Sequence, residues 1–188
     1  MIHQEQVFSA NSCQIALIVI VIALLIINLH LTKTIKQACI NPDFGCYNKF
    51  GGQRLGAQFI KKEKRKLASG VLLLMVCDIG GMGLLNDLVG EAEVNNRIKK
   101  ALENIRTWRG LYNFEAQINS GDEFAFFVDA VDAKGVGDRM NKLFQFHGFS
   151  GVYYATREVK SNNFFQEAQM AMEEVYVLKK MLKAKAKG

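Results

Sequence analysis

The chain has 188 residues, of which 49% are apolar and 22% charged, and these proportions exclude a wholly disordered protein and one embedded in a membrane throughout. Its 24 basic and 18 acidic residues leave a net charge of +6, which permits nucleotides, nucleic acids or acidic lipids as partners without selecting among them. The four cysteines have no CxxC spacing, so the sequence indicates neither a zinc site nor a disulfide scaffold.

The first predicted element is a transmembrane helix over residues 13–32. Residues 15–27 contain no polar side chain, and the whole segment approaches the length of about 20 residues that a helix needs to cross a bilayer. A signal peptide is disfavoured because no basic residue precedes the segment, and a buried soluble helix because no polar stripe interrupts it. Since every Lys and Arg follows the segment, the positive-inside rule predicts residues 1–12 outside and residues 33–188 in the cytoplasm.

Helical and strand patterns alternate after the apolar segment. Asn41-Pro42-Asp43 is a helix-start signature, and apolar residues recur at helical spacing over 53–67. The charge run at 61–66 is interpreted as a solvated helix face, with attraction to anionic lipid as the alternative. A continuous apolar run over 71–77 predicts a strand that is covered on both faces and ends at Asp78.

The second half of the chain completes an α+β pattern. After a glycine-rich turn at residues 80–83, the expected elements are a helix over 84–89, a helix over 93–108, a hairpin of strands 114–118 and 124–128, a helix over 137–146, a strand over 149–155 and a helix over 164–181. These elements predict one mixed or antiparallel sheet with helices packed on it.

Three acidic residues are the candidates for chemistry. Asp78 follows a buried strand, and Asp122 and Glu123 follow a hairpin turn, so their carboxylates can meet at one edge of the sheet. Three oxygen donors there would bind Mg²⁺ (or Mn²⁺), which in turn would hold nucleotide phosphates. Acidic residues at turns are also common without a metal, so spacing alone leaves both interpretations open. The glycine turn after Asp78 matches neither a P-loop nor a dinucleotide fingerprint.

Five motifs together resemble the GGDEF domain family of diguanylate cyclases, which join two GTP molecules into cyclic di-GMP. In chain order they are Asn41–Lys49, Asp78–Gly90, Ser120–Phe124, Phe149–Val152 and Glu173–Lys183. They are similar to the family's opening D-x-L-T-G-L-x-N-R, its D-x-D-x-F-K-x-I-N-D-x-x-G segment, its signature turn, its S-I-G-V strand and its closing helix. The resemblance covers roughly residues 38–185 and implies the palm-like sheet of nucleotide cyclases and polymerases.

The resemblance implies a metal site and a reaction. The metal ligands would be Asp78, the Ile79 carbonyl, Asp122 and Glu123, and the catalytic residues Glu123 and Asp122, with Glu123 assisting the metals or the 3′-hydroxyl proton. Mg²⁺ or Mn²⁺ is the expected cofactor and GTP the expected partner. Because the reaction joins two half-sites, a homodimer is expected. The expected location is the inner membrane of a bacterium, and no nucleic acid partner is expected.

Five further residues are expected to bind the substrate. By the same resemblance, Asn86 would hydrogen-bond the guanine edge, and Asn95 stands where the family usually has an Asp that also contacts guanine. Gly121 would let the backbone approach the ribose and phosphates. Lys179 and Lys183 would lie over the β- and γ-phosphates.

The sequence also departs from the family pattern. Residues 81–83 replace the phenylalanines and lysine that usually cradle the triphosphate, and Ile118 replaces an arginine near the signature turn. Leu111 and Phe114 occupy the usual R-x-x-D inhibitory site, which predicts that this site is missing. Two alternatives therefore stay open: a catalytically silent GGDEF domain that binds a nucleotide or a protein, and a membrane-tethered protein whose basic surface binds lipid or nucleic acid.

Overall fold

The computed structural model describes residues 2–119 and 121–185, and the side chains of residues 15–119 and 121–184. The chain divides into two compact units, residues 1–38 and 39–188. The helices are α1 Ile2–Ala38, α2 Lys49–Lys62, α3 Lys64–Ala68, α4 Met82–Val89, α5 Glu91–Ile105, α6 Ala133–Phe146 and α7 Phe164–Lys185. The strands are β1 Leu72–Gly80, β2 Leu111–Gln117, β3 Glu123–Asp129 and β4 Gly151–Arg157.

Helix α1 forms the first unit and contains the predicted apolar segment. Within its stretch Ile15–Ala38, an 18-residue window has a mean hydropathy of 2.8. At about 1.5 Å per residue, this stretch exceeds the bilayer core thickness of about 30 Å. The large apolar side chains from Ile15 to Leu31 are 48–69% exposed. By length and composition, the helix can therefore cross a membrane.

The second unit is built on a four-stranded sheet in the order β2-β3-β1-β4. All three strand pairings are antiparallel, and a single bridge between Tyr47 and Ala116 is parallel. The predicted hairpin of β2 and β3 is present, and β1 lies in the centre between β3 and β4. The central position explains why β1 is a continuous apolar run, because both of its edges and both of its faces are covered.

Alternate residues of β1 face two separate cores. Met75, Cys77 and Ile79 pack against α5 and α6, whereas Leu74 and Val76 pack against α2, α3 and α7. Period-two alternation along a strand produces this division. The two layers of helices fix the strand ends relative to one another, and the end of β1 that carries Asp78 lies beside the start of β3.

Three local predictions were wrong. Strand β1 continues through Asp78 to Gly80, because Asp78 pairs with both neighbouring strands rather than ending the ladder. The helix predicted over 53–67 is two helices that separate at Glu63. Asn41-Pro42-Asp43 forms a turn instead of a helix start, because the Asn41 side chain accepts the Asp43 amide at 2.8 Å. The helix begins at Lys49, where Asn48 accepts the Gly51 amide at 2.9 Å.

Candidate functional site

Two adjacent strands bring the three predicted carboxylates together. Asp78 on β1 is the direct register partner of Glu123 on β3, and the Ile79 amide donates to the Asp122 carbonyl at 3.0 Å. Carboxylate oxygens of Asp78, Asp122 and Glu123 lie within 4.8 Å of one another. The cluster therefore has the hard oxygen donors that Mg²⁺ and Mn²⁺ prefer, and the Ile79 backbone runs beside it.

The cluster is a site of concentrated negative charge. Asp78 is 3% and Glu123 7% exposed, and Asp122 is half-buried. Burial raises the pKa of Asp122, and the neighbouring Asp78 raises it further. The charged form of Asp122 is thus disfavoured without a cation, which is the electrostatic condition that favours metal binding.

Helix α7 supplies two contacts to these carboxylates. The Lys179 ammonium lies 2.6 Å from Asp78 Oδ1 and 2.8 Å from Oδ2. The Tyr176 hydroxyl donates to Glu123 Oε1, and this contact raises the pKa of Tyr176 to about 12. Asn119 Nδ2 donates to the other oxygen of Glu123. The expected phosphate-binding Lys179 is therefore at the site, but in this structure it contacts a predicted metal ligand.

The turn before β3 has the backbone freedom that the resemblance requires. Gly121 has a φ of +89°, a conformation that favours glycine, while Ser120 of the same motif lies outside the described residues. The Gly121 carbonyl accepts from Gln117 Nε2 at 3.2 Å, and Gln117 in turn accepts from Asn41 Nδ2 at 2.7 Å. The opening motif of the second unit thus supports the turn through Gln117.

The predicted guanine-binding residues lie on two consecutive helices, α4 and α5. Asn86 Oδ1 is buried and accepts no hydrogen bond from the described residues. Such an orphaned acceptor is unusual, because buried polar atoms are nearly always paired. Asn95 is half-buried and lines an open cleft of about 740 Å³, together with Asp43, Glu91 and Lys99. The Asn86 amide thus has an unused acceptor, and Asn95 borders a space large enough for a ligand.

The remaining predicted residues lie away from these contacts. Lys183 is exposed one helical turn beyond Lys179. Phe114 is 4% exposed in the core that faces α2, α3 and α7, and Leu111 is partly buried against the other core, which faces α5 and α6. Neither offers a charge to a ligand, and the lack of an R-x-x-D site there stays a prediction.

Three residues that the sequence reasoning gave no role contribute to the cluster. They are Tyr176 and Asn119, which hold Glu123, and Tyr153, whose ring centroid lies 5.6 Å from Lys179 Nζ. Tyr176 had a detectable signal, because it precedes Lys179 by three residues and such pairs share one face of a helix. Tyr153 had none, since its place depends on the β1–β4 register, where it stands opposite Asp78.

Solved structures of GGDEF domains share this fold. A microbial GGDEF domain described in a novel interaction mode with cyclic di-GMP is 19% identical, with a TM-score of 0.57 over 76% of this chain and 91% of its own. The GGDEF domain of TpbB (YfiN) from Pseudomonas aeruginosa is 15% identical, with a TM-score of 0.58 over 76% and 89%. The active GGEEF domain of a diguanylate cyclase from Vibrio cholerae is 14% identical, with a TM-score of 0.56 over 72% and 91%.

No family model matches the sequence, and no curated protein sequence is significantly similar to it. At identities below 20%, the likeness to the solved structures concerns the fold. The second unit has the α+β fold of GGDEF domains, with its antiparallel sheet and packed helices, and the fold prediction is confirmed. Activity has to be argued from the residues of the site.

Proposed function

We propose that the protein is a diguanylate cyclase that condenses two GTP molecules into cyclic di-GMP and releases two pyrophosphates. One observation carries the proposal: three carboxylates, on strand β1, in the turn before β3 and at the start of β3, lie within 4.8 Å of one another in a GGDEF-type fold. They are the residues that the sequence resemblance assigns to the metal ions. Agreement between the motif and an independent spatial clustering supports the assignment more strongly than the motif alone.

The proposed metal site uses Asp78, the Ile79 carbonyl, Asp122 and Glu123. Bound Mg²⁺ or Mn²⁺ would neutralise charge on the phosphates and favour attack at the α-phosphorus. Glu123 would accept the proton of the attacking 3′-hydroxyl, and its two hydrogen bonds from Tyr176 and Asn119 hold it in one orientation. The carboxylate cluster thereby positions the reacting groups on a rigid sheet edge.

The proposed nucleotide site extends from the cluster toward α4 and α5. The orphaned Asn86 Oδ1 is an acceptor suited to the N–H groups of the guanine edge, and the Asn95 amide can both donate and accept there. Gly121 would leave room for the ribose and phosphates. Lys179 and Lys183 would contact the β- and γ-phosphates. Lys179 lies at the cluster, and Lys183 lies one helical turn further along α7.

The proposal includes an assembly and a location. Each domain would hold one GTP, so that the 3′-hydroxyl of one faces the α-phosphate of the other in a homodimer. Helix α1 would cross the bacterial inner membrane once, with residues 1–12 outside and the catalytic domain in the cytoplasm. The mean hydropathy of 2.8 in an 18-residue window of Ile15–Ala38 supports the membrane span. The basic residues that follow residue 32 support this orientation.

The activity is tested with the full chain in detergent or nanodiscs. The protein is incubated with GTP and either Mg²⁺ or Mn²⁺, and the nucleotides are separated by chromatography. We expect cyclic di-GMP and pyrophosphate, and no cyclic product from ATP. The decisive negative control is the protein fused to a dimerising coiled coil. If this fusion forms no product and also binds no GTP at millimolar nucleotide, the proposal is overturned.

A second candidate is a nucleotide-binding module without turnover. It is favoured by one feature, the replacement of the usual phosphate-binding lysine by Gly83, whose position faces open space. This candidate would be supported over the cyclase if the protein bound GTP without forming product and if replacing Asn86 weakened that binding.

A further inference from the structure

Lys179 contacts Asp78 in the way a bound cation would. Its ammonium group lies 2.6 Å and 2.8 Å from the two carboxylate oxygens, so it bridges both of them. The Asp78 carboxylate is 4% exposed and the lysine side chain 26%. The ring of Tyr153 lies 5.6 Å from the same ammonium and adds an attraction between the cation and the aromatic face.

Helix α7 engages a second member of the cluster through the same face. Tyr176 precedes Lys179 by three residues and donates its hydroxyl to Glu123. Two of the three candidate carboxylate ligands are therefore held by one helix. The third carboxylate, Asp122, is half-buried within 4.8 Å of the other two, so the cluster offers acidic groups beyond the one that Lys179 contacts.

We infer that Lys179 is the resident counter-ion of the acidic cluster and competes with the divalent cation for Asp78, so that metal and nucleotide bind together. The inference rests on the proposed function and assigns Lys179 a second role in it. An ammonium group bridging both Asp78 oxygens repels a divalent cation that needs the same oxygens. Nucleotide phosphates offer Lys179 an alternative anionic partner, which its flexible four-carbon stem can reach, and this frees Asp78.

A purely structural ion pair would behave differently. If Lys179 only fastened α7 to the sheet, its removal would lower the unfolding temperature and leave metal affinity unchanged or weaker. A competing counter-ion instead weakens metal affinity while it is present. The direction of the change in metal affinity therefore separates the two roles.

The test measures Mn²⁺ binding to the full chain without nucleotide, by electron paramagnetic resonance of free Mn²⁺. We expect Lys179→Met to bind Mn²⁺ at least tenfold more tightly than the parent. Lys180→Met is the matched control, because Lys180 is the adjacent, exposed lysine and should leave the affinity unchanged. Lys179→Gln serves as a second variant with a polar side chain, and circular dichroism checks that each variant is folded.

A second arm adds a GTP analogue with an α,β-methylene bridge. In the parent, the analogue should strengthen Mn²⁺ binding, and in Lys179→Met this strengthening should be several-fold smaller. The loss of coupling follows because the variant has no ammonium group to move from Asp78 to the phosphates.

The outcomes separate the counter-ion role from the proposed function. One outcome overturns the counter-ion role and leaves the metal site intact. In it, folded Lys179→Met and Lys179→Gln bind Mn²⁺ no more tightly than the parent, and Asp122→Asn abolishes Mn²⁺ binding. Failure of every variant to bind Mn²⁺, with or without the analogue, overturns both the counter-ion role and the metal site.

Discussion

The two sides of the candidate site are built differently. On one side, Asp78 and Glu123 stand in register on paired strands, are 3% and 7% exposed, and each accepts hydrogen bonds from α7. On the other side, Gly81 caps the start of α4 in a left-handed conformation, and α4 exposes Leu84 and Leu88 by 67% and 71%. The acidic side is thus rigid and charge-rich, whereas the α4 side is open and carries no charge-bearing side chain before Asp87.

This difference indicates which step of the proposed reaction is weakened. Carboxylates fixed on a sheet need little rearrangement of their own to bind a cation once Lys179 has left Asp78. The α4 side offers a backbone turn and the single orphaned Asn86 amide where the family usually adds a lysine. One charge-assisted contact to phosphate contributes about 1.5–3 kcal/mol, which is roughly ten- to a hundred-fold in affinity. We therefore expect the α4 side to limit nucleotide binding, with a high KM for GTP and slow turnover.

The largest effect is expected on the acidic side. Asp122→Asn removes one anionic ligand from a three-carboxylate cluster while keeping the size of the side chain. Cyclic di-GMP formation should fall at least a hundredfold, and Mg²⁺-dependent GTP binding should be lost. Product chromatography and equilibrium dialysis measure the two quantities. Product formation equal to that of the parent would show that the turn before β3 is not the metal site.

An intermediate effect is expected at Asn86. Asn86→Ala removes the buried acceptor that has no partner among the described residues, so the substrate would lose one hydrogen bond to a buried group. The KM for GTP should rise about five- to thirty-fold, since such a bond contributes about 1–2 kcal/mol. Metal binding should stay unchanged, because Asn86 is on the other side of the site.

Asn104→Ala is the control for replacing a helical asparagine by alanine. Asn104 lies on α5 and accepts a hydrogen bond from the Trp108 indole, and it has no role in the proposed base site. An unchanged KM in Asn86→Ala would remove guanine contact from the proposal. A parallel rise in both variants would indicate a stability effect, which a melting curve would reveal.

The sequence predicted the elements of the sheet better than the contacts of the site. Strands and helices follow from local periodicity, so their order was correct. The end of β1 was misplaced because Asp78 is a poor strand-former locally, and only pairing with β3 and β4 carries the strand to Gly80. The contact of Lys179 with Asp78 joins residues 101 positions apart and depends on how α7 packs, which no local pattern encodes.

A smaller gain of function is expected on the α4 side. Gly83→Lys restores the lysine that the family usually has, and an added Cβ at Gly83 meets no atom within 4 Å. Gly83 also lacks a positive φ, so the substitution introduces no backbone strain. The KM for GTP should fall by about three- to ten-fold, with little change in metal affinity, as measured by initial rates of pyrophosphate release.

Gly81→Lys provides the matched comparison. Gly81 has a φ of +84°, and a Cβ there would overlap Ser150 Oγ, so this variant should lose stability and gain nothing in KM. Equal improvement in both variants would mean that general positive charge attracts GTP, rather than a lysine at one position of the turn.

The smallest expected effect concerns stability and pH on the acidic side. Because burial and Asp78 raise the pKa of folded Asp122 above its unfolded value, the folded protein binds more protons than the unfolded chain between these two pKa values. Its stability therefore falls as the pH rises through the raised pKa. In EDTA at pH 7–8, Asp122→Asn should consequently unfold at a higher temperature than the parent, because the uncharged amide carries no such penalty. The difference should shrink toward zero as the pH falls below both pKa values.

Saturating Mn²⁺ should reverse the order of the two unfolding temperatures, because it stabilises only the protein that binds it. A lower Tm for Asp122→Asn in EDTA would show that Asp122 stabilises the apo-protein. The acidic side would then not lower the stability of the metal-free protein.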